Sequence, residues 1–161
     1  MSQKAALGAL TADLTTELER RRLELDDRRL TTIKALADTL GIEVDGTPEG
    51  AFFLLADVSG TYGRTLAGCT ITSAASFAEF LLAEANVAVV SGADFAASHH
   101  ARISYRVPPD RLAEALPRIA DFAEGLGRAP TGSDSSPGRL LGLTGPATNP
   151  CQVLVRPPVA Q

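Results

Sequence analysis

Few side chains in this 161-residue sequence have the types and spacings that chemistry uses. His99 and His100 are adjacent, so their side chains diverge unless the backbone bends, and metal pairs are ordinarily spaced more widely. Lys4 begins a helical stretch and Lys34 sits within a long amphipathic one. In both places a solvated amine fits better than a buried one of depressed pKa. Gly60, Gly63 and Gly68 are not followed by the Gly-Lys-Ser/Thr of a phosphate loop, and no Ser-His-Asp or Cys-His arrangement can be read from residue order. Arg102 differs. A guanidinium that opens an apolar strand, directly after a Gly- and Ala-rich loop, can present its planar fork to a carboxylate. The structural alternative is a surface arginine at a strand end, or one paired with Asp94 or Glu84. Residue pattern alone leaves both open.

The elements that must position Arg102 can be read from periodicity. Residues 3–10 form a short Ala-rich helix, and a long helix follows over residues 14–40. Leu14, Leu18, Leu25, Leu30, Ile33, Leu36 and Leu40 mark its apolar stripe. Its centre, "ELERRRLELDDRRL", reads as a solvated face laced with Glu–Arg and Asp–Arg pairs one turn apart, and Gly41 stands where a C-cap belongs. "IEVDGTPEGAFFLLADVSG" is strand, turn, strand, with "AFFLLADV" apolar enough to be buried. Residues 60–73 read as loop. Ser73 or Ser76 can cap the helix "FAEFLLAEA", after which "VAVV" and "ARISYRV" are strands. Asp110 caps a last helix with the stripe Leu112, Leu116, Ile119, Phe122 and Leu126, and Pro117 inside it predicts a kink or a broken first turn. From Arg128 the chain turns rich in Pro, Gly, Ser and Thr without sustained period, which predicts a mobile tail. The fold class is therefore α+β: a short sheet covered by helices and preceded by a long helix.

Composition narrows the function classes. A net charge of −4 argues against a nucleic-acid partner and gives no reason to expect an anionic membrane surface. Hydrophobic residues make up 45% but aromatics only 5%, so the core is built of many small pieces. No apolar run approaches the roughly 20 residues of a membrane span, and the start lacks the pattern of a signal peptide. Cys69 and Cys151 lie far apart in no metal or redox spacing and read as two incidental thiols in a reducing cytosol. A soluble, cytoplasmic protein is expected.

Taken in order, "SQKAALGAL", the long charged helix, "EGAFFLLADVSG", "FAEFLLAEANVAVVSGADF", "ARISY" and "DRLAEALPRI" resemble the C-terminal portion of class I/II aminotransferases. These are pyridoxal-phosphate enzymes of fold type I, similar to aspartate aminotransferases. The resemblance is collinear over residues 2–126. It implies a division into 1–12, a helix left from the large domain; 13–127, the small C-terminal domain; and 128–161, the flexible tail without counterpart. In that family the arginine of the "RIS" strand clamps the substrate α-carboxylate, a role that falls on Arg102. Phe95, with Gly92 before it in the "GxxF" loop, would line the substrate side of the pocket. Two local departures stand out: Ser91 replaces the proline common before the loop glycine, and "AASHH" stands where glycines are usual, which makes the histidines loop filler.

The resemblance begins after the family's catalytic region. The lysine that binds the cofactor, the aspartate on its pyridine nitrogen and the phosphate-holding loop all belong to earlier segments. Such a chain could supply a carboxylate clamp but not the electron sink that transamination requires. The expected function is the C-terminal subunit of a split enzyme acting on an amino acid or keto acid. Its pyridoxal 5'-phosphate would be reached only through a partner chain that carries the Schiff-base lysine, in a hetero-oligomer. Met1 directly before "SQKAAL" fits a gene divided at that point. The alternative is a non-catalytic carboxylate-binding or assembly domain derived from such an enzyme.

Overall fold

The computed structural model describes residues 2–66 and 68–128. The expected 128–161 tail, apart from Arg128, lies outside the described residues. The described chain is α+β, with a small antiparallel sheet and helices.

Two helices open it. The first, α1 (Ser2–Thr11), has no buried residue, and the second, α2 (Thr15–Ala37), buries only Thr32 and Leu36. The charge run of α2 forms the ladder its spacing predicts: Glu17 accepts from Arg20 and Arg21, Glu19 from Arg22, and Asp26 from Arg29. The apolar stripe is covered only toward its C-terminal end. Leu36 is buried and Leu25 and Ile33 pack on the core, whereas Leu14, Leu18, Leu30 and Leu40 stay exposed. At the N-terminal end of α2 the apolar spacing marks a face, Leu14 and Leu18, that stays exposed among the described residues. The helix stops three residues before its expected end, with Asp38 as C-cap. Gly41 follows at φ +78, in backbone contact with Gly60: a Cβ on Gly41 would lie 2.9 Å from the Gly60 carbonyl carbon.

The main sheet is β1 (Glu43–Val44), β2 (Phe53–Asp57), β6 (His100–Ser104) and β5 (Val90–Ser91) in the order β1-β2-β6-β5, with every pair antiparallel. Between them come β3 (Arg64–Leu66), β4 (Cys69–Thr70) and α3 (Ala74–Ala85), and after them α4 (Pro109–Gly125) and β7 (Gly127–Arg128). The segment 60–73, expected as loop, holds the β3–β4 pair, and β7 joins it in a second small sheet. Its strands are two or three residues long, too short for any alternation to register in the sequence.

Helix termini follow the local chemistry. Ser73 caps α3 in a capping box with Ser76. The cap of α4 is Pro108, not Asp110, with Pro109 at the first helical position, where its missing N–H costs nothing. The helix runs from Pro109 through Pro117 to Gly125 without the broken first turn that the proline allowed. The stripe of α4 is buried as its spacing requires, and Phe122 meets Phe77 of α3 edge-on at 5.7 Å. Leu54 and Ala56 of β2, with Ala101 and Ile103 of β6, point into the same core as Leu36, Phe77, Leu81 and Leu116. Tyr105, just past β6, is buried, and its hydroxyl lies 3.0 and 2.9 Å from the Gly50 and Ala51 carbonyl oxygens, tying down the loop that enters β2.

The ladder on α2 carries a pH signature. Hydrogen bonds from Arg20 and then Arg21 hold the Glu17 carboxyl at about 2, against an ordinary 4.5. A depressed folded-state value stabilises the helix above the ordinary value, and that help is lost as pH falls toward the folded one. The helical signal that distinguishes the wild type from Glu17→Gln in circular dichroism is therefore expected to fade between those two pH values. It should shrink in about 1 M salt. A difference that stays constant down to the lower value would contradict the pairing.

Candidate functional site

Strand alternation divides the main sheet into two unlike faces. Along β2 the residues run half-buried, buried, exposed, buried, half-buried, and β6 runs in step with it. The helices take Leu54, Ala56, Ala101 and Ile103. The other face carries Phe53, Leu55 and Asp57 from β2 and His100, Arg102 and Ser104 from β6, and no described helix covers it. Register sets the neighbours. Arg102 stands directly between Leu55 of β2 and Val90 of β5, both exposed apolar side chains. Glu43, Asp57 and His100 form the next row on the same face.

Arg102 has no hydrogen bond or ion pair among the described residues, so neither Asp94 nor Glu84 pairs with it. It is held by aromatic rings. Its Cζ lies 4.5 Å from the Phe53 ring centroid and 4.4 Å from that of Phe95. The side chain is half-buried. Cation–π contacts take up none of the guanidinium's N–H donors in hydrogen bonds to oxygen, and those donors can bind a carboxylate in bidentate fashion.

Phe95 reaches Arg102 from a 3-10 turn, Gly92–Phe95, that follows β5. The Ser91 hydroxyl caps this turn by accepting from the Ala93 N–H, which gives the serine found in place of the family's proline a local function. Gly92 is buried under the returning chain: a Cβ there would stand 2.3 Å from the Ala97 carbonyl oxygen and 2.7 Å from that of His100. Ala96 then takes a left-handed conformation, φ +57, which reverses the chain into the loop before β6. The three expected residues Gly92, Phe95 and Arg102 thus come together: the glycine permits the turn, the turn presents the ring, and the ring covers the cation. Phe53 was not singled out from the sequence. Its signal was register alone, since Phe53 lies opposite Ser104, one same-face position along the strand from Arg102.

The two histidines are more than loop filler. His100 opens β6, and its Nε2 lies 3.0 Å from Asp45 Oδ2, while its Nδ1 is enclosed with no partner among the described residues. Nε2 therefore carries the proton it donates to Asp45. His99 packs against the Tyr62 ring at 5.9 Å. Partial burial pushes the Asp57 carboxyl up, but hydrogen bonds from Ser59 and the fields of His100 and His99 outweigh it and leave the group below its ordinary value. Among the described residues no three His, Cys, Asp or Glu side chains converge on a metal site. Cys69 is disulfide-bonded, contrary to the expected free thiol, while Cys151 lies outside the described residues.

The model of the family "Aminotransferase class I and II" matches residues 1–119. The chain belongs to the class I and II aminotransferase family. It is 40% identical over 127 residues to the aspartate/prephenate aminotransferase of Cereibacter sphaeroides, a match that takes in 78% of this chain and 31% of that protein. With the aspartate aminotransferase of Streptomyces avermitilis it shares 35% over 114 residues, 71% of this chain and 28% of the other. Its structure superposes on the crystal structure of the aspartate aminotransferase from Rhizobium meliloti with a TM-score of 0.73 at 35% identity, covering 78% of this chain and 31% of that one. This aminotransferase-family chain therefore spans about a third of the length of the relatives it matches.

Members of the family use pyridoxal phosphate. The donor set in this chain does not fit that cofactor. Lys4 lies on α1, which has no buried residue, and Lys34 is exposed on α2, so neither amine faces an enclosed site. No step through the cofactor follows from these residues. No described helix is long and apolar enough to cross a membrane.

The Gly92 contact gives a direct test of how the site is assembled. Gly92→Ala drives a methyl group into two backbone carbonyl oxygens and is expected to cost about 1–3 kcal/mol of stability. It should also swing Phe95 off Arg102. Thermal unfolding measures the first effect and the ring-current shift of the Arg102 side-chain protons the second; an unchanged melting temperature would show that the turn has room the structure does not give it.

Proposed function

We propose that this chain contributes the substrate α-carboxylate clamp of a pyridoxal-phosphate-dependent aminotransferase-like enzyme acting on an amino acid or keto acid. On this reading residues 13–127 correspond to the small C-terminal domain, with residues 1–12 left from the large one. A partner chain brings the lysine and the cofactor, and the working form is a hetero-oligomer. A cytoplasmic location belongs to the same reading.

The observation that carries the proposal is the state of Arg102: a half-buried guanidinium, gripped by two phenylalanines and free of any counter-ion among the described residues, in the middle of a sheet face that no described helix covers. A cation left unpaired in apolar surroundings is a binding site for an anion, and a planar fork selects a carboxylate. The need for a partner is supported by two further facts. The two lysines are solvent-exposed, and α1 with the first half of α2 presents Leu7, Leu10, Leu14 and Leu18 without cover. An apolar surface of that extent is ordinarily an interface.

The second reading, a non-catalytic carboxylate-binding or assembly domain, is favoured by the same misfit of the lysines to the cofactor. Arg102 would then bind an anion without chemistry.

Co-expression with a chain carrying the lysine-bearing part of an aminotransferase fold separates the two. The first reading expects a stable complex with the visible absorbance of bound pyridoxal phosphate. Within that complex Arg102→Gln should weaken amino-acid binding by about 10- to 100-fold, the loss of a charge-assisted bidentate contact. The complex itself should persist in that variant. No complex, or a complex without cofactor absorbance, sinks the first reading. Arg102-dependent binding of keto acids by the chain alone then upholds the second.

A further inference from the structure

We propose that Phe53 and Phe95 are positioning residues for Arg102, holding its guanidinium by its faces in place of a counter-ion so that its in-plane donors stay uncommitted. This rests on the carboxylate-clamp reading and adds to it how the clamp is kept both ordered and empty.

The contrast with other arginines of the chain motivates it. Arg20, Arg22, Arg29, Arg111 and Arg118 each bind a carboxylate about one turn away on their own helix. Such pairs order the side chain, but they spend the N–H donors, and an incoming carboxylate would have to break them. Arg102 is ordered by other means. An arginine has many rotamers, so a free one on a strand would spread over them and lose affinity in being fixed. Rings at 4.5 and 4.4 Å restrict it without using a single donor. The two rings come from separate elements, Phe53 from β2 and Phe95 from the turn after β5, so the guanidinium is fixed relative to both strands that flank β6. Flanking Leu55 and Val90 keep the surroundings apolar, which strengthens any charged contact made there.

The test uses the full 161-residue chain and pyruvate as probe. The Arg102 Nε–H signal is identified in NMR spectra by its loss in Arg102→Lys. In the wild type it should be displaced by the ring currents of two phenylalanines. Phe53→Leu and Phe95→Leu should each remove part of that displacement and weaken pyruvate binding about threefold, and the double variant about tenfold, as expected for losing one or two cation–π contacts. Phe53→Tyr with Phe95→Tyr keeps the ring faces and should retain both the displacement and the affinity. A double leucine variant that binds pyruvate as tightly as the wild type overturns the positioning role while leaving the clamp intact. If the wild type shows the displacement, and loses it with leucine, but does not bind pyruvate, the aromatic grip stands and carboxylate binding by the chain alone falls. Should the leucine variants melt early, the tyrosine pair decides: folded, but without the displaced signal, it overturns the proposal.

Discussion

A four-stranded antiparallel sheet with helices on one side must put alternate residues of every strand on a face that the described helices leave bare. Everything specific about this protein follows from which residues occupy that face. On β2 and β6 the inward set is Leu54, Ala56, Ala101 and Ile103, small or branched side chains that let α2, α3 and α4 pack close. The outward set includes Phe53, Leu55 and Arg102. A shift of β6 by one residue would exchange the two sets, burying Arg102 unpaired in the core and exposing Ala101 and Ile103. The cost of an unpaired buried charge locks the register, and the register locks the site.

The same constraint links the loop chemistry to the sheet. Gly92 is dictated by the close return of the chain at Ala97 and His100, and this return sets Phe95 over the open face. At the other end of β6, Tyr105 ties its hydroxyl to the carbonyls of the loop entering β2, which bears on where Phe53 begins. Arg102 is therefore held between two segments that are each fixed by backbone contacts of their own. In the neighbouring row, Asp57 accepts from the Ser59 N–H and His100 is engaged by Asp45. The guanidinium of Arg102, by contrast, has aromatic rings and no anion beside it among the described residues.

Much of the fold was legible from residue spacing. The stripe of α4, the charge ladder of α2 and the capping serine of α3 follow from period and local chemistry, because each is decided within a turn or two of the chain. The second sheet was not, since strands of two or three residues carry no period. The apolar stripe of α2 was legible, but not its cover: spacing marks a face that must be buried and says nothing of what buries it. Gly92, Phe95 and Arg102 were reached through family resemblance, their order and intervals matching a known pattern.

What the sequence by itself determined is the inventory: one arginine within an apolar strand, a glycine and a phenylalanine ahead of it, and no lysine placed to hold a cofactor. Tertiary structure alone decided that Arg102 has no counter-ion among the described residues and that a second ring, Phe53, lies against it. It also decided that His100 is engaged by Asp45. These are facts of cross-strand register and loop return, which join residues tens of positions apart. A hydrogen bond or a ring contact over that separation leaves no trace in local spacing, and only the paired strands bring its two ends together.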